Sequence, residues 1–146
     1  MIAIIRIKGM VGIRKDLAET LSRLRLRRKY SCVVLVNPTK EQLGMVKKVK
    51  DFVACGEVDE KFFEKMIKAR GKSLDKKKEV DAKKVIDGLI KGKKYEELNL
   101  KPFFRLHSPR GGFKSKGGAS PIKTHYPKGV LGDHKEKINE LIGRML

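Results

Sequence analysis

The chain has 146 residues, of which 40% are hydrophobic and 36% charged; it contains no Trp and carries a formal net charge of +19. That length serves one ordinary domain, or a small domain with an appendage, and the charged share stands well above the quarter usual in globular chains. No run approaches the 18 apolar residues of a spanning helix, the short apolar start MIAIIRIKG lacks the charged leader of a secretory signal, and self-repulsion at this charge calls for a polyanion, with nucleic acid ahead of an anionic membrane.

In chain order, Ile2 to Lys8 predicts a strand, with Ala3, Ile5 and Ile7 on one side and Ile2, Ile4, Arg6 and Lys8 on the other. Gly9 and Gly12 bracket a turn. Ile13, Leu17, Leu21 and Leu24 then recur at helical spacing. Cys32 to Val36 reads as a second strand, ended by Asn37-Pro38. Thr39 and Gln42 form a capping box for a second helix, which turns Leu43, Met45, Val46 and Val49 inward. Phe52 to Gly56 predicts a third strand. The expected fold is therefore α+β: a small two-layer β-α-β-α-β sandwich over residues 1–58, a three-stranded sheet with two helices on one face.

Residues 59–146 read as a mostly helical C-terminal extension. Asp59 opens a helix with an inner face of Phe62, Phe63, Met66 and Ile67, followed by a lysine-rich break. Val85, Ile86, Leu89 and Ile90 mark a further short helix, and PFFRLH a short strand after Pro102. A basic Gly/Pro-rich arm occupies about 104–129, irregular from residue 108. Ile138, Leu141, Ile142 and Met145 place an apolar stripe on a terminal helix, which ties the arm down at both ends.

The charge is concentrated. Residues 1–30 carry a net +7 and residues 101–128 another +7, with no acid in the second segment. Two distant stretches then hold most of the excess, as in a phosphate-backbone binder once the fold brings them together. Five basic residues stand within Arg23 to Lys29, more than a helix C-terminus needs to offset its dipole. In SPRGGFKSKGG the glycines allow close backbone approach to phosphates. Phe113 and Tyr126 are candidates for stacking on unpaired bases, Phe113 equally for a pin that holds the arm down.

Catalytic readings fare worse. GFKSKGGA places Gly118 where a phosphate-binding loop needs lysine and Ala119 where it needs a hydroxyl. The acids stand among lysines as on solvated helix faces. His107 has no recognisable nucleophile or acid beside it, and a contact to phosphate or base suits it better. Cys32 and Cys55 have no C-x-x-C spacing and no histidine near in sequence, so they predict small buried thiols in a reducing cytosol, with no metal and no cofactor.

With these residues in view, the chain resembles the archaeal, long form of the large-subunit ribosomal protein thirty family, whose eukaryotic relative is large-subunit protein seven. The likeness runs through IRIKGMVGI, LRLRRKY, GMVKKVKDFVACGE, KARGK, RLHSPRGGFKSK and KINELIGRML in the family's order. One departure is Leu43, where the family commonly has arginine. The resemblance implies a first strand central in the sheet, with Cys32 and Cys55 on flanking strands and too far apart for a disulfide. It also implies a non-enzymatic, ribosome-bound protein of the cytoplasm that holds large-subunit ribosomal RNA, beside neighbouring ribosomal proteins and without a small-molecule substrate. The alternative is a free-standing RNA chaperone or RNA-processing subunit; an enzyme acting on RNA is a third reading. The RNA-binding residues expected are Arg14, Lys15, Arg23, Arg25, Arg27, Arg28 and Lys29 from the first segment. From the arm they are His107, Arg110, Gly111, Gly112, Lys114, Lys116 and Lys123.

Overall fold

A computed structural model describes residues 1–75, 81–113 and 121–146. The chain runs β1 (Ile2–Arg6), α1 (Lys15–Arg23), β2 (Ser31–Leu35), α2 (Lys40–Lys48), β3 (Val53–Glu57), α3 (Glu60–Arg70) and α4 (Ala82–Ile90). It continues through β4 (Phe104–Arg105), β5 (Gly132–Asp133), a 3-10 turn at Lys135–Lys137 and α5 (Ile138–Met145). The α+β class holds, but the sheet has five strands, not three, in the order β4-β2-β1-β3-β5. The two additional strands are two residues long, one at each edge. β4 falls within the strand read in PFFRLH, whose place in the sheet the sequence did not indicate, and the two residues of β5 carry too little periodicity to be read as a strand at all.

β1 is central. Its alternation sends Ala3, Ile5 and Ile7 into one core with Cys32, Val34 and Ala54, and Ile4 into another with Val33 and Val53. Leu21 and Leu24 of the α1 region and Val46 and Val49 of the α2 region close the second core, with Ile13, Leu17 and Met45 against it. The first core is covered by Phe63, Met66 and Ile67 of α3, Val85, Ile86 and Leu89 of α4, and the whole stripe Ile138, Leu141, Ile142 and Met145 of α5. The sheet is therefore buried on both faces, with helices of the extension on the face opposite α1 and α2. Ile90, expected inward, is 47% exposed, and Leu43 is half-buried.

The caps follow sequence chemistry where the partner side chain exists. The Thr39 hydroxyl accepts from the Gln42 N–H at 3.3 Å, and the Gln42 amide oxygen accepts from the Thr39 N–H at 3.1 Å. Asp59 occupies the N-cap of α3 without a side-chain cap bond.

Cys32 stands opposite Ile5, and Cys55 opposite Ile4, across the central strand. Two strand spacings, roughly 9–10 Å, separate their backbones, and their side chains enter different cores. Both are free thiols. Burial pushes Cys32 up to about 12 and, with the nearby Asp133 charge adding to burial, Cys55 up to about 11.

The register has one consequence for function. β1 runs antiparallel to β2 and β3, β4 antiparallel to β2, and β5 parallel to β3. Arg6 ends β1 beside Val53 at the start of β3; Ser31 starts β2 beside Arg105 at the end of β4; Ala54 is level with Gly132. The loop after β1, the loop before β2, the turn before β3 and both described ends of the arm therefore all leave the same end of the sheet.

Candidate nucleic-acid interface

That end is cationic. Its connections, residues 7–15, 24–30, 47–52, 106–113 and 121–131, hold thirteen lysines and arginines against one acid, Asp51. The opposite end, residues 36–40, 57–61, 101–103 and 134–136, holds four lysines against Glu57, Asp59, Glu60 and Glu136. The asymmetry follows from strand direction: the basic segments are separated by seventy residues of sequence, but antiparallel pairing returns both to one pole.

At its centre is Arg6, 1% exposed. Its guanidinium donates to the carbonyls of Lys8 at 2.9 Å and Gly9 at 2.8 Å on one side, and of Leu26 at 2.7 Å and Arg27 at 3.1 Å on the other. A buried charge is tolerable only when its donors are satisfied, and four carbonyls provide this. Burial lowers its pKa, yet a guanidinium keeps its charge at any neutral pH. The arrangement ties the 8–9 and 26–27 backbones to one side chain. Sequence reading placed Arg6 on the face of Ile2 and Ile4 without assigning it a role; a lone arginine inside a β-branched strand was the available signal.

Arg27, Arg28 and Lys29 are exposed, and among the described residues none of them has a carboxylate partner. Lys29 Nζ lies 4.9 Å above the Tyr30 ring. Tyr30 takes φ +63°, held by its N–H to the Arg6 carbonyl at 2.8 Å and its own carbonyl accepting from Leu106 N–H at 3.0 Å. Arg25, also at positive φ, is exposed and bonded to Glu96 at 3.0 Å. Arg14 lies 3.4 Å from Asp16 and Arg23 2.6 Å from Glu19, so these two are partly neutralised by their own helix. Lys15 is exposed at the first turn of α1.

The root of the arm meets this loop directly. The Tyr30 and Phe113 ring centroids are 6.3 Å apart. The backbone N–H groups of His107 and Arg110 donate to the carbonyls of Met145 and Arg144, each at 2.9 Å. These are orphan carbonyls at the C-terminal end of α5, so the arm caps the helix that the terminal stripe packs. Arg144 in turn donates to the Gly112 carbonyl at 3.1 Å. Gly111 and Gly112 take φ of +74° and +70°, a conformation that glycine adopts without strain. His107 and Arg110 are exposed. Lys114 and Lys116 lie outside the described residues.

Lys123 is exposed at the same end, but toward the other edge of the sheet, where Val130 N–H donates to the Pro121 carbonyl and His125 Nε2 lies 2.9 Å from Asp51. The two aromatic candidates are occupied: Phe113 packs on Tyr30, and the Tyr126 ring lies 4.6 Å from that of His134. Lys8, Lys47, Lys48, Lys50 and Lys128 belong to the pole and were missed, because their segments read as a strand end, an ordinary helix C-terminus and a loop.

Fold and surface together define a small basic α+β protein whose sheet, among the described residues, has one strongly cationic end. The family profile of ribosomal protein L30p/L7e matches residues 2–53. The large ribosomal subunit protein uL30 of Archaeoglobus fulgidus is 37% identical over 99% of this chain and 99% of its own length. That of Nanoarchaeum equitans is 39% identical over 99% and 97%, and that of Methanococcus maripaludis 37% identical over 99% and 98%. The chain belongs to the ribosomal protein L30p/L7e family. Membership in a family of ribosomal proteins agrees with the expectation of a structural component and not an enzyme.

Proposed function

We propose that this protein is a structural constituent of the large ribosomal subunit in the cytoplasm, and that its cationic pole binds and stabilises ribosomal RNA by neutralising closely packed phosphates. The observation that carries the reading is the Tyr30–Phe113 contact, which brings the loop bearing exposed Arg27, Arg28 and Lys29 against the segment bearing exposed Arg110. Arginine suits such work because its fork gives paired hydrogen bonds to phosphate, and the Gly111–Gly112 turn, closed by the Gly112 N–H on the Pro109 carbonyl, leaves the backbone without side chains to hold the same ligand off. The near-neutral opposite end suits the neighbouring proteins of a subunit.

Co-sedimentation tests the assignment. The protein is expected to run stoichiometrically with large subunits after a high-salt wash. Release into the free fraction, with RNA binding retained, would identify a separate RNA chaperone or processing subunit.

A further inference from the structure

Among the described residues, the two most exposed large apolar side chains belong to the loop after β1. Met10 is 58% exposed and Val11 100% exposed. They lie between Gly9 and Gly12, with Lys8, Arg14 and Lys15 around them, at the cationic pole. Isolated exposed aliphatics need no explanation, but these are anchored. The guanidinium that binds the Lys8 and Gly9 carbonyls also binds those of Leu26 and Arg27, so the apolar tip and the Arg25–Lys29 loop form one unit.

The aromatic side chains narrow the class of RNA. All nine rings lie among the described residues and none is exposed. Phe63 and Phe104 are buried, and Tyr95 donates its hydroxyl to the Val34 carbonyl at 2.7 Å. Tyr30 and Phe113 face each other, and Tyr126 faces His134. Phe52 lies under Lys8, Phe103 beside Arg105, and Phe62 against Gly143. Each ring packs against a neighbour and none stands open as a stacking platform for unpaired bases, the usual means of holding single strands. A-form duplexes instead offer a wide, shallow minor groove, read by shape and lined by riboses, into which a small aliphatic tip fits while flanking cations reach the phosphates.

Resting on the RNA reading above, we propose that Met10 and Val11 form an apolar tip that packs in the minor groove of base-paired RNA, with Arg6 holding it beside the Arg25–Lys29 loop.

The test uses the full chain, a paired RNA duplex and a polyuridine strand of equal phosphate number. The variant Met10→Ser with Val11→Ser is expected to bind the duplex about tenfold more weakly, the loss of apolar burial from two side chains that a shallow groove covers only in part. Its salt dependence, its affinity for the strand and its melting temperature stay unchanged. A control, Arg27→Gln with Arg28→Gln, is expected to weaken both RNAs and flatten the salt dependence. If the control changes neither RNA, the RNA reading itself fails. If the control behaves as expected but the tip variant binds duplex like the unaltered chain, or loses strand and duplex equally, the tip assignment is overturned and the wider reading stands.

Discussion

Tyr30 and Phe113, eighty-three positions apart in the chain, place their rings 6.3 Å from each other and so bring the loop before β2 against the root of the arm. Tyr30 is fixed through its backbone to β1 and to Leu106; Phe113 follows the two left-handed glycines that turn the arm back. The contact makes two separate runs of positive charge into neighbours. Replacing Phe113 with Ala is expected to cost about 1–2 kcal/mol of stability, roughly half of a fully buried Phe→Ala change. Urea unfolding measures it. Hydrogen exchange should quicken in residues 106–113 before it quickens in β1.

Arg6→Lys is expected to destabilise by about 2–4 kcal/mol. A single ammonium cannot reach four carbonyls held on two sides, and each unpaired buried acceptor carries its own penalty. Thermal unfolding reads the loss, and a change below about 0.5 kcal/mol would mean that the carbonyls find water instead.

Gly56→Ala tests the seating of α5. A Cβ there meets the Lys135 carbonyl oxygen and lies 2.7 Å from Ile138 Cβ. Backbone cannot swing aside as a flexible side chain can, so the expected cost is about 2–3 kcal/mol. Because α5 carries the carbonyls that hold His107 and Arg110, RNA affinity should fall with it.

His134 supplies a pH dependence. Its ring nitrogen Nε2 lies 2.7 Å from the Val130 carbonyl, and burial holds its pKa below the ordinary value, against the pull of that bond and of Asp133. The folded state therefore prefers the neutral ring. This contribution to stability is present above the unfolded value of about 6.5 and is lost as pH falls through the folded one. Melting temperature should drop more between about pH 7 and about pH 5 in the unaltered chain than in His134→Gln. Equal drops would place the acid sensitivity elsewhere.

What the sequence disclosed depended on how local each signal was. The alternation in β1, the stripes of α1 and α5 and the Thr39–Gln42 box are periodic or short-range, and each appears as read; the α2 stripe does so except at Leu43, which is half-buried. The strand read in PFFRLH appears as β4, but its place at a sheet edge is set by a partner dozens of residues away, and nothing in GD announces β5. The same holds for the site. Clustered cations at 23–29 were evident from composition, but their distribution between helix-bound partners (Arg14, Arg23), a distant acid (Arg25) and open surface (Arg27, Arg28, Lys29) is a tertiary fact. Arg6 resembles a surface cation in one dimension and is a buried clamp in three.

The central claim is that one end of the sheet, and not the molecule's charge as a whole, meets RNA. Measuring affinity for large-subunit ribosomal RNA against salt concentration tests it directly. About six neutralised phosphates give a log–log slope near −4 to −5. Neutralising Arg27, Arg28 and Arg110 together should make that slope shallower by about 2–3. Neutralising Lys40, Lys61 and Lys101 at the opposite end should leave it where it was. Equal effects from the two triple variants, or a response to salt that is flat in the unaltered protein, would contradict the account.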